Sequence, residues 1–178
     1  MSTTFKNQYG TTNQAITITL NSLASSATAG RQSTVIDNRT NLYLDALVQI
    51  QLTIATGGTV ANDKCAYVYV FGTVDDTNFA AERSVAGTQA TIGTSDAAYS
   101  VADPTVSATP LILAKIIPIP VAPTSTSGVY ICSPFSVANC FGGVLPAQWG
   151  IVVRNYCGIT LNSSGCSAVY QGIYGQGV

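Results

Sequence analysis

From Val48 to Ile54 the chain alternates without a break, with Val48, Ile50, Leu52 and Ile54 on one side and Gln49, Gln51 and Thr53 on the other. A period of two is what a half-buried β-strand imposes, because successive side chains leave its backbone on opposite sides. The pattern predicts a central strand over 42–54, its four aliphatic side chains each contributing about 1.5–3 kcal/mol on leaving water. Its other face is polar and uncharged. AITITL (15–20) places Ile16, Ile18 and Leu20 on one face, and RQSTVIDN (31–38) reads as a strand leading into a turn. In CAYVYVFG (65–72), Tyr67, Tyr69 and Phe71 oppose Val68 and Val70. Both faces are apolar, so this strand belongs inside a sheet and is covered on both sides, one by a second sheet and the other by a neighbouring subunit.

The second half continues the pattern. LILAKIIPI (111–119) brackets Lys115 between Leu113 and Ile117 and stops at Pro118 and Pro120, which donate no ladder hydrogen bond and so mark an edge or a bend. VYICSPF (129–135) and WGIVVRNY (149–156) are further strands, with Trp149 as a core plug. ITL (159–161), the NSSG turn and CSAVYQGIY (166–174) predict a final hairpin, followed by a polar, flexible tail.

Between these elements lie segments without period. Residues 1–14 read as an extended polar N-terminal arm carrying Phe5 and Tyr9, and 15–178 as a single domain. Residues 73–110 form a long excursion rich in small residues, with one helical turn at NFAAER and a short strand at TQATI. Residues 134–148 look like a connector crossing the top of the sandwich, hinged at Gly142-Gly143. Eight or nine short strands, Gly/Pro/Asn/Ser turns and no amphipathic helix predict an all-β, antiparallel β-sandwich. The two long connections favour a jelly-roll-like order over an up-and-down barrel.

Composition changes the picture at one point. Only 8% of the 178 residues are charged, against about 25% in ordinary soluble domains. A surface so poor in charge is weakly protected against association, which suits a subunit whose surface is covered by neighbours. The net charge is −1, and the three lysines and four arginines are scattered, so there is no footprint for nucleic acid. No apolar run approaches the roughly 20 residues that span a bilayer, and the first residues lack a signal-peptide pattern, so a soluble product made in the cytoplasm, without a membrane partner, is expected.

Candidate chemistry is sparse. With no histidine, a Ser-His-Asp or Cys-His arrangement is absent and no enzyme is expected. The five cysteines have no CxxC pair and fit no familiar metal spacing, so no cofactor or metal is expected. Free buried thiols are the plain reading, while a Cys157–Cys166 bridge across a hairpin stays open. Asp75 and Asp76, with Glu82 nearby, are a carboxylate group of the type glycosidases use, and Asp75, Asp76 and Asn78 offer oxygen ligands for Ca²⁺, but a solvated turn accounts for both. Tyr99, alone in the irregular excursion, is the candidate sugar platform. Tyr170 and Tyr174 suit subunit contacts, since tyrosine carries an apolar body and a polar tip. The uncharged face of Gln49, Gln51 and Thr53 is a further candidate contact.

The polar MSTTFKNQYGTTNQ start, the VQIQLTI strand followed by CAYVYVFGTVDDTNF, and the late block LPAQWGIVVRNYCGITL leading to AVYQGIYGQ together give the chain a texture that resembles small virion structural proteins of tailed bacteriophages. The resemblance is one of pattern over most of the chain. It implies a jelly-roll subunit in the virion that decorates or cements the capsid, binding the major capsid protein and copies of itself, often as a trimer. The alternative it implies is a receptor- or glycan-binding module of a tail or head fibre, using the 73–110 loop.

Overall fold

The computed structural model describes residues 4–75, 79, 81–83, 89–100 and 111–177. The strands are β1 (Phe5–Tyr9), β2 (Gln14–Ala15), β3 (Ala29–Gln32), β4 (Ile36–Asp37), β5 (Asp45–Ile54), β6 (Cys65–Thr73), β7 (Ala81–Arg83), β8 (Gln89–Thr91), β9 (Ala97–Ser100), β10 (Ile112–Pro118), β11 (Gly128–Ile131), β12 (Phe135–Ser136), β13 (Gln148–Tyr156) and β14 (Ser167–Gly177). A 3₁₀ turn, Ala138–Phe141, closes on Gly142 in the left-handed region at φ 73°, a conformation open to glycine at little cost.

Two antiparallel sheets face each other. The first runs β1-β14-β5-β11, with β2 on β14 and β12 on β5; the second runs β10-β6-β13-β3-β9, with β4 on β13. β1/β2, β3/β4 and β11/β12 are each one interrupted strand, which leaves eight elements besides the short β9 and the separate β7-β8 pair. Numbered in chain order, their sheets read 1-8-3-6 and 5-4-7-2. Every connection crosses between sheets except the one from β6 to β10. This is a jelly roll, as expected.

The core lies where the two inner faces meet. Val48, Ile50, Leu52 and Ile54 of β5 are fully buried, facing Ala66, Val68 and Val70 of β6 and Trp149, Ile151 and Val153 of β13. Trp149 plugs this core, its ring edge-on to Tyr170 at 5.5 Å. The inward alternation predicted from Val48 onward is therefore observed. The strand itself begins at Asp45, because Leu42, at φ 51°, turns the chain just before it.

Several expectations are corrected. The arm expected over 1–14 is not separate from the domain: Phe5–Tyr9 and Gln14–Ala15 pair with β14 of the same chain as the sheet's edge, with a turn at Thr12-Asn13 between them. Ile16 and Leu20 are buried as their spacing requires, yet the ladder there ends at Ala15. A bulge between Leu113 and Lys115 separates the two residues' faces, leaving Leu113 half-exposed while Ile117 is buried. The final hairpin does not form: Leu161 bridges to Ile54, and β14 pairs with β5 and β1 through Gly177, so the tail is a strand. Residues 81–83 are a strand, where a helical turn was expected.

The long excursion does not cross the sandwich. It leaves β6 and returns to the adjacent β10; among its described residues β9 extends the second sheet beside β3, and Ile92 and Tyr99 pack on that sheet's outer side. There Phe71 and Val152 pack with Ile92, Tyr99 and Leu111 as a second, smaller core. The outer cover of β6 at Phe71, expected from a neighbouring subunit, therefore comes from the same chain. Gln32, buried, ties the excursion down by donating to Gly93 O at 3.0 Å and Ser95 O at 2.7 Å. Asp96 adds an ion pair to Arg31 Nε at 2.6 Å and accepts from the Thr19 hydroxyl.

Candidate subunit interface

In an antiparallel pair, residues directly opposite share a face, so the registers place every side chain of the first sheet. Its outward face carries Phe5, Asn7 and Tyr9 from β1, then Val169, Gln171 and Ile173 from β14. Leu47, Gln49 and Gln51 of β5 follow, with Val129 and Ile131 of β11. Phe5 (68%), Tyr9 (64%), Val129 (56%) and Ile131 (58%) are each more than half exposed. Single exposed apolar side chains need no explanation, but a contiguous set on one face does.

Charge is nearly absent from this face. Among the described residues of these strands, Asp45 alone contributes an outward-facing charge. Its Oδ1 accepts from the backbone amides of Ala46 at 2.7 Å and Ala138 at 2.9 Å, so the carboxylate is turned to its own chain. Lys6 alternates to the other face with Gln8 and Tyr174. The two glutamines lie flat: Gln49 Nε2 donates to Cys132 O at 3.2 Å and Gln51 Nε2 to Gly165 O at 2.8 Å. They cover the face without offering a charge. Thr12, Asn13, Leu47, Gln49, Pro134, Val169 and Gln171 frame a shallow groove of about 140 Å³. That is below the roughly 300–1,000 Å³ of small-molecule sites and is nearer the size of one side chain.

The structure thus brings Phe5, Tyr9, Gln49 and Gln51 together, and separates the other candidates from them. Thr53 is buried under the 162–166 turn, its hydroxyl donating to Gly165 O at 2.8 Å, so it is not available to a neighbour. Tyr170 points inward against Trp149 and donates its hydroxyl to Gln14 Oε1 at 2.9 Å; its place is the core. Tyr174 is partly exposed, on the opposite face. Tyr99 is 3% exposed within the second core and presents no ring for stacking a sugar, which corrects the platform reading. Asp75 is exposed and accepts from the Thr73 hydroxyl at 2.9 Å, while Asp76 and Asn78 lie outside the described residues.

Elsewhere the chemistry is quiet. Among the described residues no three His, Cys, Asp or Glu side chains are grouped to hold a metal ion. All five cysteines are free thiols. Burial pushes Cys140, Cys157 and Cys166 up, so each favours the less nucleophilic protonated form. On the outer side of the second sheet, the Arg154 guanidinium lies over the Tyr67 ring at 4.7 Å, with Tyr69 and Tyr156 at 5.8 and 5.9 Å. Its Nη1 donates to Ala27 O at 2.9 Å. The aromatic faces stabilise a cation that, among the described residues, has no carboxylate within ion-pair distance. Sequence reading missed this cluster, although alternation of Tyr67/Tyr69 and Arg154/Tyr156 on two strong strands was its signal.

It also missed Leu47, Val129, Val169, Ile173 and Ile131 as members of the outward face, because each was read only as part of a strand. Comparison of the chain with protein-family models, curated proteins and solved structures finds no match.

Proposed function

We propose that the protein is a non-enzymatic structural subunit that decorates or cements a virion shell, made in the host cytoplasm and incorporated through the outward face of its first sheet. The observation that carries this reading is that face: apolar and amide side chains over four strands, with its one carboxylate turned away to backbone amides. At about 4.8 Å per strand and 3.3 Å per residue, four strands of eight or so residues offer roughly 500 Å² of flat area. Side-chain relief brings that toward the roughly 800 Å² each partner contributes to a standard interface. The mechanism is mechanical. A surface that binds only the assembled shell stabilises that state by mass action, and many neutral contacts suffice. The partners are the major shell protein and further copies of this chain.

The jelly-roll order supports the reading only as far as a fold can, since the same order serves shell proteins, lectins and cupins. The lectin-like alternative uses the 73–110 loop with Asp75, Asp76, Asn78 and Tyr99; of these Tyr99 is core and Asp75 is exposed. Ile131→Asp, at an exposed position, is expected to leave folding unchanged within about 0.5 kcal/mol and to abolish co-sedimentation with shells. Full occupancy of shells by this variant and by Val129→Asp refutes the proposal. Glycan binding by the unmodified chain, with no shell association, establishes the alternative.

A further inference from the structure

The geometry of β1 points to a specific self-contact: two copies of the chain pair through this strand, antiparallel, about a two-fold axis at Asn7. The inference rests on the assembly reading and names one of its partners, a second copy.

β1 is an edge. It has β14 on one side and, among the described residues, no strand on the other. β5 leaves β14 at Asp45↔Ile173, so residues 5–8 and 174–177 continue past the sandwich as a two-stranded ribbon. Such ribbons are marginally stable in water by themselves and gain from a third strand. Gly10 N donates to Gly172 O at 2.8 Å, which makes 10↔172 a hydrogen-bonded pair. Hydrogen-bonded and non-hydrogen-bonded pairs alternate along an antiparallel ladder. Gln8↔Tyr174 and Lys6↔Gln176 are then bonded, while Tyr9↔Ile173, Asn7↔Gly175 and Phe5↔Gly177 are not. The backbone N–H and C=O groups of Phe5, Asn7 and Tyr9 therefore point away from the sheet, unclaimed by β14.

Two such edges fit each other in one register. With Asn7 opposite Asn7 of the second copy, Phe5 stands opposite Tyr9 and Tyr9 opposite Phe5. All three are outward-pointing residues on both strands, and each pair exchanges two hydrogen bonds, about six in all. The side chains agree with the backbone. Phe5 meets Tyr9 of the second copy on the same outward face, an aromatic cross-strand pair, and Lys6 meets Gln8, so no like charges are opposed. Moving the centre to residue 6 would set lysine against lysine and shorten the overlap. The pairing joins the two outward faces into one continuous surface of apolar and amide side chains. By contrast, the β10 edge carries a bulge, Lys115 and Pro118, the devices that prevent edge pairing.

The test measures the mass of the full chain by sedimentation velocity across a wide concentration range. The unmodified chain is expected as a dimer. Asn7→Pro removes only an outward donor, leaves the β14 ladder, and is expected to halve the mass while Trp149 fluorescence unfolding stays unchanged. Gln8→Lys and Gln8→Glu check the register without touching the fold. Two like-charge juxtapositions weaken self-association about tenfold and two opposite ones strengthen it similarly. A chain monomeric throughout overturns the inference, as does a trimer, or a dimer indifferent to both charge variants. Monomers that still bind shells through the Ile131 face overturn the pairing alone; dimers that never bind shells keep the pairing and refute the virion reading.

Discussion

Tyr99→Ala separates the structural role of this residue from a recognition role by magnitude. The side chain is 3% exposed and packs with Phe71, Ile92, Leu111 and Val152. A buried aromatic removes about 150–250 Å² from water, or roughly 4–6 kcal/mol at 25 cal/mol per Å² as an upper bound. Aromatic-to-alanine changes in cores cost about 3–5 kcal/mol. This cluster lies at the margin of the fold and closes partly on the cavity, so the expected loss is about 3 kcal/mol. An exposed platform tyrosine would cost under about 0.5 kcal/mol. Urea unfolding followed by the single tryptophan, Trp149, reads the difference. With a slope near 2 kcal/mol/M the midpoint falls by about 1.5 M. Val144→Ala, at an exposed position, is the control and holds its midpoint. If the covering segment opens by itself, Trp149 keeps its midpoint but proteolysis between residues 92 and 99 accelerates. An unchanged midpoint together with unchanged proteolysis refutes the reasoning.

Other outcomes follow from the same contacts. Asn155 is fully buried; its amide donates to Ile159 O at 2.7 Å and Leu23 O at 3.0 Å and accepts from Cys157 N at 3.3 Å. Asn155→Leu leaves the Cys157 amide without that acceptor, and Ile159 O with only a thiol donor, costing about 2–4 kcal/mol; a urea-midpoint loss under about 0.3 M contradicts this. Burial pushes Asp96 up, but the Arg31 and Thr19 hydrogen bonds outweigh it and hold the carboxyl below its ordinary value. A lowered folded pKa contributes stability above the unfolded value, about 3.9, which is lost as pH falls through the folded one. Asp96→Asn is therefore expected to cost about 1 kcal/mol at pH 7, and the gap to the unmodified chain closes below about pH 4; a gap independent of pH, read from paired thermal melts, shows that the ion pair is not its source.

Much of the fold is legible in the chain. The alternation at 48–54 assigns the inward set of β5 without knowledge of its neighbours, because a strand's two faces follow from backbone geometry alone. The doubly apolar 65–72 segment announces an interior strand, and the charge deficit announces a surface that resists few contacts. None of these depends on what lies opposite.

What lies opposite is the part that only the tertiary structure decided. A period of two names a face but no partner, so the sequence could not say that 5–15 returns to β14, or that the 73–110 excursion joins adjacent strands and packs Ile92 and Tyr99 on Phe71 of one of them. The same limit governs the site. Thr53 and Gln51 belong to one alternating set, yet the 162–166 turn buries the first and leaves the second on the surface. Tyr99 sits in an irregular segment and is core, whereas Phe5 and Tyr9 sit in a polar one and are exposed on an open edge. Burial depends on long-range neighbours, and local pattern determines only which way each side chain points when those neighbours arrive.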